Sequence, residues 1–256
     1  DNERVVEEGY TTTLLGRDAA RLIENHDPKV PLYLYLAFNA PHTPYQAPQE
    51  YIDRYPEIAE PTRRTYAAMV TCLDDEIGRV VRALEKAGMR ENTIIVFHSD
   101  NGGTRNAMFS GVMADMSNVV LPCDNGPYRE GKGTLFEGAT RVCALVNWPG
   151  RINAGRVDGM VHGVDLYPTF AALAGASTAR SKPLDGVDVW SALSKNAPSP
   201  RKEIVYNIEP FRGAVREGDW KLIWRTMLPQ SVDLYNLSDD PSETRNVASE
   251  HPEIVE

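Results

Sequence analysis

The chain has 256 residues, 42% hydrophobic and 25% charged, which is the balance of a soluble globular protein long enough for one large domain or two smaller ones. Its formal charge of −9 argues against a nucleic-acid or anionic-membrane surface, and no apolar run reaches the length of a membrane span. Anionic small molecules remain possible ligands, because a local basic pocket can exist on an acidic protein. Cys72, Cys123 and Cys143 are odd in number, far apart and without CxxC spacing, so neither a disulfide framework nor a zinc site is indicated. The opening DNERVVEEGYTTT carries no targeting signal and reads as the interior of something longer.

In chain order, Leu14, Leu15, Ala19, Leu22 and Ile23 recur at helical spacing between residues 11 and 25. PLYLYLAF, residues 31 to 38, is nearly all apolar and aromatic, which predicts a strand buried on both faces of a parallel sheet. The following NAPHTPYQAP is a rigid loop, since Pro41, Pro44 and Pro48 each remove a donor and fix φ. Residues 63 to 87 form one long amphipathic helix with Gly88 as its C-cap signal, and NTIIVFHSD is a second buried-type strand. Strand, helix, strand in this order predicts a right-handed parallel crossover, with ligands at the carboxyl ends of the strands.

Residues 104 to 128 are polar and irregular, a pocket-lining or mobile loop. RVCALVNWPG gives another strand, VDLYPTFAALAG a helix closed at Gly175, and residues 189 to 193 a short helix. After SKNAPSPRK the character changes to EIVYNIE, GAVREG, WKLIWR and VDLYNL, short alternating strands of an antiparallel unit. The expected division is an incomplete α/β part over residues 1–197 and a small antiparallel β unit over 198–256.

Three segments bear chemistry. In VFHSDNGG, residues 96 to 103, Asn-Gly after an apolar run is a hairpin signal, yet the next residues lack an alternating pattern to pair back. Asp100 and Asn101 are alternatively hard oxygen ligands for Ca²⁺ or Mg²⁺ at a strand end, with the glycines admitting close approach. His98 lies two residues before Asp100, so strand alternation puts both on one face; it is either substrate-facing or a buried, hydrogen-bonded histidine. His42, fixed between Pro41 and Pro44, suits proton transfer or anion binding, and is otherwise an ordinary loop histidine. Lys132, between glycines in YREGKGTLFEGATRV, offers a point charge to sulfate or phosphate, and is otherwise a solvated surface lysine. Asp165 and Asp185 fall in turns and read as residues that cap helices or tie loops.

Taken in order, APHTPYQAP, YAAMVTCLDDEIGRVVRAL, TIIVFHSDNGG, GKGTLFEGATRV, VDLYPTFAALAG and LDGVD resemble the type I sulfatases, with wording similar to arylsulfatase B-like members, from about residue 11 to about residue 246. The resemblance implies an α/β, alkaline-phosphatase-like fold: a mostly parallel sheet flanked by helices, then a small C-terminal antiparallel sheet. It further implies that Asp100 and Asn101 are ligands of an active-site Ca²⁺. His42 and Lys132 would contact the sulfate and assist the leaving group, with His98 a possible catalytic neighbour. It also implies a periplasmic, secreted or lysosomal setting.

The family's formylglycine nucleophile arises in a C/S-x-P-x-R signature that is absent here, as are the paired acidic residues that complete the metal site. The sequence therefore reads as the carboxyl-terminal part of a sulfuric ester hydrolase holding half an active site. Its substrate would be a small-molecule sulfate or phosphate ester. Two other readings are a self-standing truncated hydrolase of phosphate or other activated esters, and a non-catalytic anion-binding or scaffold remnant. Apolar sheet edges without their neighbours predict a homo-oligomer if the piece folds alone, or a missing amino-terminal half that covers them.

Overall fold

The computed structural model describes residues 6–105, 119–179, 182–226 and 230–255. The chain divides into two compact units, residues 1–93 with 104–124, and residues 94–103 with 125–256. Most of the loop expected over residues 104 to 128 lies outside the described residues.

The first unit is built on α1 (Thr11–Glu24) and α3 (Pro61–Lys86), with the single turn α2 (Gln49–Ile52) between them. Pro61 occupies the first turn of α3, where a missing N–H costs nothing, and the Glu60 side chain accepts from the Thr62 and Arg63 amides. Ala87 ends the helix and Gly88 follows at φ +67°, the left-handed exit that glycine supplies without strain. Helix α1 buries Thr12, Gly16, Ala19, Ala20 and Ile23, and α3 buries Ala68, Met69, Cys72, Leu73, Glu76, Ala83 and Leu84. Gly16 is the point of closest approach, since a Cβ there would collide with the Glu76 side chain. The buried Glu76 carboxylate is held by Arg79, one turn on, with Nε to Oε2 at 2.7 Å.

The strand expected over residues 31 to 38 does not form. The segment has no strand partner among the described residues, and Tyr33 and Tyr35 are 77% and 75% exposed. Its composition is that of a doubly buried strand, but a strand exists only when neighbours take up its N–H and C=O groups. The loop after it is irregular as expected, with cis peptide bonds before Pro41 and Pro44.

In the second unit β1 (Ile95–His98) pairs antiparallel with β2 (Ala144–Asn147), Ile95 opposite Asn147 and His98 opposite Ala144. Among the described residues β1 has no parallel partner, so the expected parallel crossover from residues 31–38 is not formed. Helix α4 (Glu137–Thr140) precedes β2, and α5 (Leu166–Leu173) and α6 (Trp190–Lys195) follow. Then comes a four-stranded antiparallel meander, β3 (Glu203–Glu209), β4 (Arg212–Glu217), β5 (Trp220–Arg225) and β6 (Ser231–Asn236), before the closing turn α7 (Pro252–Val255). One face of this sheet, through Ala214, Ile223 and Tyr235, packs with Leu135, Leu237, Phe136 and Tyr206. The segment carrying Leu135 and Phe136 is therefore seated on the C-terminal sheet.

Asp165 and Arg201 tie the middle of this unit together. Asp165 is fully buried and accepts from both Arg201 Nε (2.7 Å) and Arg201 Nη2, and from the amides of His162 and Val187. Arg201 also donates to the Asp185 carbonyl at 2.8 Å. Asp165 ties loops with its carboxylate as expected, whereas the bond to Asp185 is to its backbone carbonyl and does not depend on the residue being an aspartate. Among the described residues no helix is long and apolar enough to cross a membrane, and all three cysteines are free thiols.

Candidate functional site

Strand β1 ends at His98, and the chain turns through Ser99 to Gly103. This is not a hairpin, because the strand that pairs with β1 is β2, more than forty residues on. The turn is held by its own polar groups: Asp100 Oδ1 accepts from the Asn101 amide (2.9 Å), Asn101 Nδ2 donates to the Gly102 carbonyl (2.9 Å), and the Ser99 hydroxyl donates to the Asn101 carbonyl (2.8 Å). Asp100 Oδ2 and the Asn101 side-chain carbonyl are the oxygens those bonds leave uncommitted.

A second segment, residues 125 to 139, closes on this turn. The Gly102 amide donates to the Ala139 carbonyl at 2.9 Å, and the Lys132 amide to the Gly103 carbonyl at 3.3 Å. Gly102 and Gly138 meet backbone to backbone: a Cβ on Gly102 would fall inside the Gly138 carbonyl, and one on Gly138 inside the carbonyls of Arg129 and Glu130. Both glycines are required by close approach rather than by φ. Glu130 adopts φ +59°, a left-handed conformation that is uncommon outside glycine, asparagine and aspartate. Local strain of this kind is characteristic of functional loops whose surroundings over-determine them.

Here the over-determining group is Asn125. Its Oδ1 accepts from the Gly103 amide (2.9 Å), and its Nδ2 donates to the carbonyls of Gly103 and Glu130 (2.8 Å each). One amide thus clasps the turn and the loop. Replacing Asn125 with Ala strands part-buried backbone groups, at a cost of about 2 kcal/mol. The Gly103 amide should then exchange with solvent deuterium at least ~10-fold faster than in the parent; an unchanged rate would refute the clasp.

The structure brings Asp100, Asn101 and Lys132 together on bonded segments of one unit, with His98 at the strand end beside them. His98 is exposed, not the buried histidine that was the alternative, and its Nδ1 lies 3.0 Å from the Ser99 carbonyl. A carbonyl oxygen only accepts, so Nδ1 carries a proton, and in the neutral imidazole Nε2 is the accepting nitrogen. His42, in the first unit, has the same arrangement, with Nδ1 2.8 Å from the Thr43 carbonyl. Asn125, Glu130 and Gly138 carried no sequence signal strong enough to single them out, whereas Gly102 was marked as a point of close approach.

Among the described residues no group of three or more His, Cys, Asp or Glu side chains converges to hold a metal ion. The donors present are one carboxylate and one amide carbonyl on consecutive residues. They fit an oxygen-seeking cation such as Ca²⁺ as part of a shell of about six to eight oxygens, without completing it.

A sequence model of the Sulfatase family matches residues 1–176. The chain belongs to the sulfatase family. A second model, described as the C-terminal region of N-sulphoglucosamine sulphohydrolase, matches residues 130–255 of the chain. Arylsulfatase J of Mus musculus is 37% identical over 227 residues, covering 87% of the chain and 36% of that protein. Arylsulfatase A of Homo sapiens is 30% identical over 88% of the chain and 45% of its own length. The crystal structure of Ps i-CgsB superposes on all of the chain with a TM-score of 0.86 at 36% identity, and 54% of that protein is covered. The sulfatase chain therefore spans roughly a third to a half of the length of such relatives, and its fold is the alkaline-phosphatase-like sulfatase fold, mixed α/β with a small antiparallel sheet.

Proposed function

We propose that this sulfatase chain contributes part of the active site of a sulfuric ester hydrolase, with the C/S-x-P-x-R signature and the remaining acidic ligands supplied by polypeptide outside these 256 residues. The observation that carries the reading is the docking of the Lys132 loop onto the Asp100–Asn101 turn through paired backbone hydrogen bonds. We assign the α/β part to residues 1–197 and the antiparallel part to 198–256.

In this reading Asp100 and Asn101 supply oxygen ligands to Ca²⁺, which when bound offsets negative charge on the sulfuryl oxygens. Lys132 adds a fixed positive charge for the same oxygens, and Gly131 and Gly133 let the backbone carrying it approach closely. His98 holds a proton on Nδ1 toward the Ser99 carbonyl and presents Nε2 for hydrogen bonding or proton transfer at the substrate. A sulfated sugar is the substrate class we favour, because a relative 31% identical over 78% of the chain, from Mus musculus, is named N-acetylgalactosamine-6-sulfatase.

The test is hydrolysis of an aryl sulfate by the chain alone and with an added polypeptide bearing the missing signature. Turnover is expected only in combination, and Asp100→Ala or Lys132→Ala should lower it roughly 10²–10³-fold. Family-like turnover by the chain alone, or full activity in both variants, would refute the reading.

A further inference from the structure

The C-terminal sheet carries a charge cluster at the end of its inward face, where β5 presents Lys221 in line with Ile223. Lys221 is fully buried, as are Glu137 of α4 and Glu243 after β6. Lys221 Nζ donates to Glu137 Oε1 at 2.9 Å and lies 3.4 Å from Glu243 Oε1. Glu243 Oε2 accepts the Glu137 backbone amide at 2.6 Å. Around them stand Arg216 of β4, 3.5 Å from Glu137 Oε2, Arg141, 3.8 Å from the same oxygen, and the Tyr206 ring of β3, whose centroid is 5.0 Å from the ammonium.

Strands β4 and β5 and the segment after β6 thus converge on α4. Its next residues are Gly138, on which Gly102 rests, and Ala139, whose carbonyl takes the Gly102 amide. Arg129, at the other end of the loop, stacks over Phe136 at 4.1 Å and donates to the Glu243 carbonyl at 3.0 Å, while its own carbonyl accepts from the Gly138 amide at 2.8 Å. Every hydrogen bond that seats the Lys132 loop on the Asp100 turn is therefore within a few residues of a group held by Lys221 or Glu243.

We infer that Lys221 and Glu243 are positioning residues for the Asp100–Lys132 site: the buried cluster fixes α4 and the loop, and through them the site's backbone. Its bearing on catalysis rests on the function proposed above; the mechanical coupling does not. Removing the ammonium leaves Glu243 buried with its charge uncompensated, which the structure relieves by loosening around it. Removing both charges relieves the conflict without moving the loop.

The test is amide hydrogen exchange on the full chain, read at Gly102 and Lys132. The Val189 amide, bonded to the Thr169 hydroxyl at 3.0 Å in the same unit but away from the cluster, serves as the internal control. In Lys221→Met, exchange at Gly102 and Lys132 should rise roughly 10- to 100-fold and exceed any rise at Val189. The double variant Lys221→Met/Glu243→Gln should return both amides to within about threefold of the parent. Should Lys221→Met not fold, Glu137→Gln, which keeps the backbone amide and removes one charge, should still raise exchange at the two sites by roughly 3- to 10-fold. Unchanged exchange at Gly102 and Lys132, or an equal rise at Val189 that the second substitution does not reverse, overturns the inference. Absence of sulfate ester hydrolysis when the chain is combined with a polypeptide bearing the missing signature, with this exchange pattern intact, would count against the proposed function alone.

Discussion

Gly102→Ala should lose about 3 kcal/mol or more of stability in the second unit, an unusually large effect for adding one methyl group. The new Cβ would occupy the space of the Gly138 carbonyl, so the turn or the loop must withdraw. Neither can do so cheaply. The turn is anchored by the register of β1 on β2, and the Ser99 amide also donates to the Cys143 carbonyl at 3.2 Å. The loop is anchored by Asn125 and by α4. Withdrawal breaks the Gly102-to-Ala139 bond and leaves both groups unpaired. Gly138→Ala drives a Cβ into two carbonyls and should cost a similar amount. Both substitutions displace residue 138, one against the turn at Gly102 and the other against Arg129 and Glu130, so the double variant should lose less than the sum of the singles. Urea unfolding of the three variants checks this: a Gly102→Ala loss below about 1 kcal/mol would show that the backbones do not need their close approach.

The second large effect concerns Asp165 and Arg201. Arg201→Met leaves a fully buried carboxylate with only two amide donors and should destabilise the unit by about 3–5 kcal/mol. Burial by itself would raise the Asp165 pKa, but hydrogen bonds from Arg201, Val187 and His162 outweigh it and hold the carboxyl below its ordinary value. The sign follows from that direction. A carboxyl whose folded pKa is depressed adds stability that is present above the unfolded value of about 4 and is lost as pH falls through the folded value. In the parent, the urea midpoint should hold above pH ~5 and fall below pH ~4. In Arg201→Met the strongest lowering influence is gone, so the decline should begin at higher pH. Superimposable pH profiles for parent and variant would contradict this account.

Much of the fold is legible in local pattern. The meander β3 to β6 follows from strict alternation between turn residues, and α1, α3 and α5 from apolar stripes closed by glycine or asparagine. Residues 31–38 show where pattern fails: composition records that a segment can be a buried strand, whereas becoming one depends on partners that this stretch lacks among the described residues. The candidate site divides in the same way. Asp100, Asn101 and Lys132 were readable because oxygen donors, a point charge and flanking glycines suggest chemistry by residue type. Asn125 was not, since an asparagine in a loop is common and only its three bonds to the backbone distinguish it. Lys221 left a trace: in WKLIWR it occupies the same alternate position as Ile223, so an inward lysine could have been expected to need buried carboxylates. Nothing in sequence says that those would be Glu137 and Glu243.

The reach of that cluster bears on how the protein is made. Glu137 and Glu243 are 106 residues apart along the chain. At a synthesis rate of roughly 5–20 residues per second, the segment bearing Lys132 waits on the order of 5–20 s for the carboxylate that closes its anchor. Until then Glu137 has no Glu243 to bind its amide, and the turn at Gly102 has no fixed surface on which to settle. The nascent chain thus passes through an interval in which the residues of the candidate site exist but their geometry does not, and a pause or truncation before Glu243 would prolong that state.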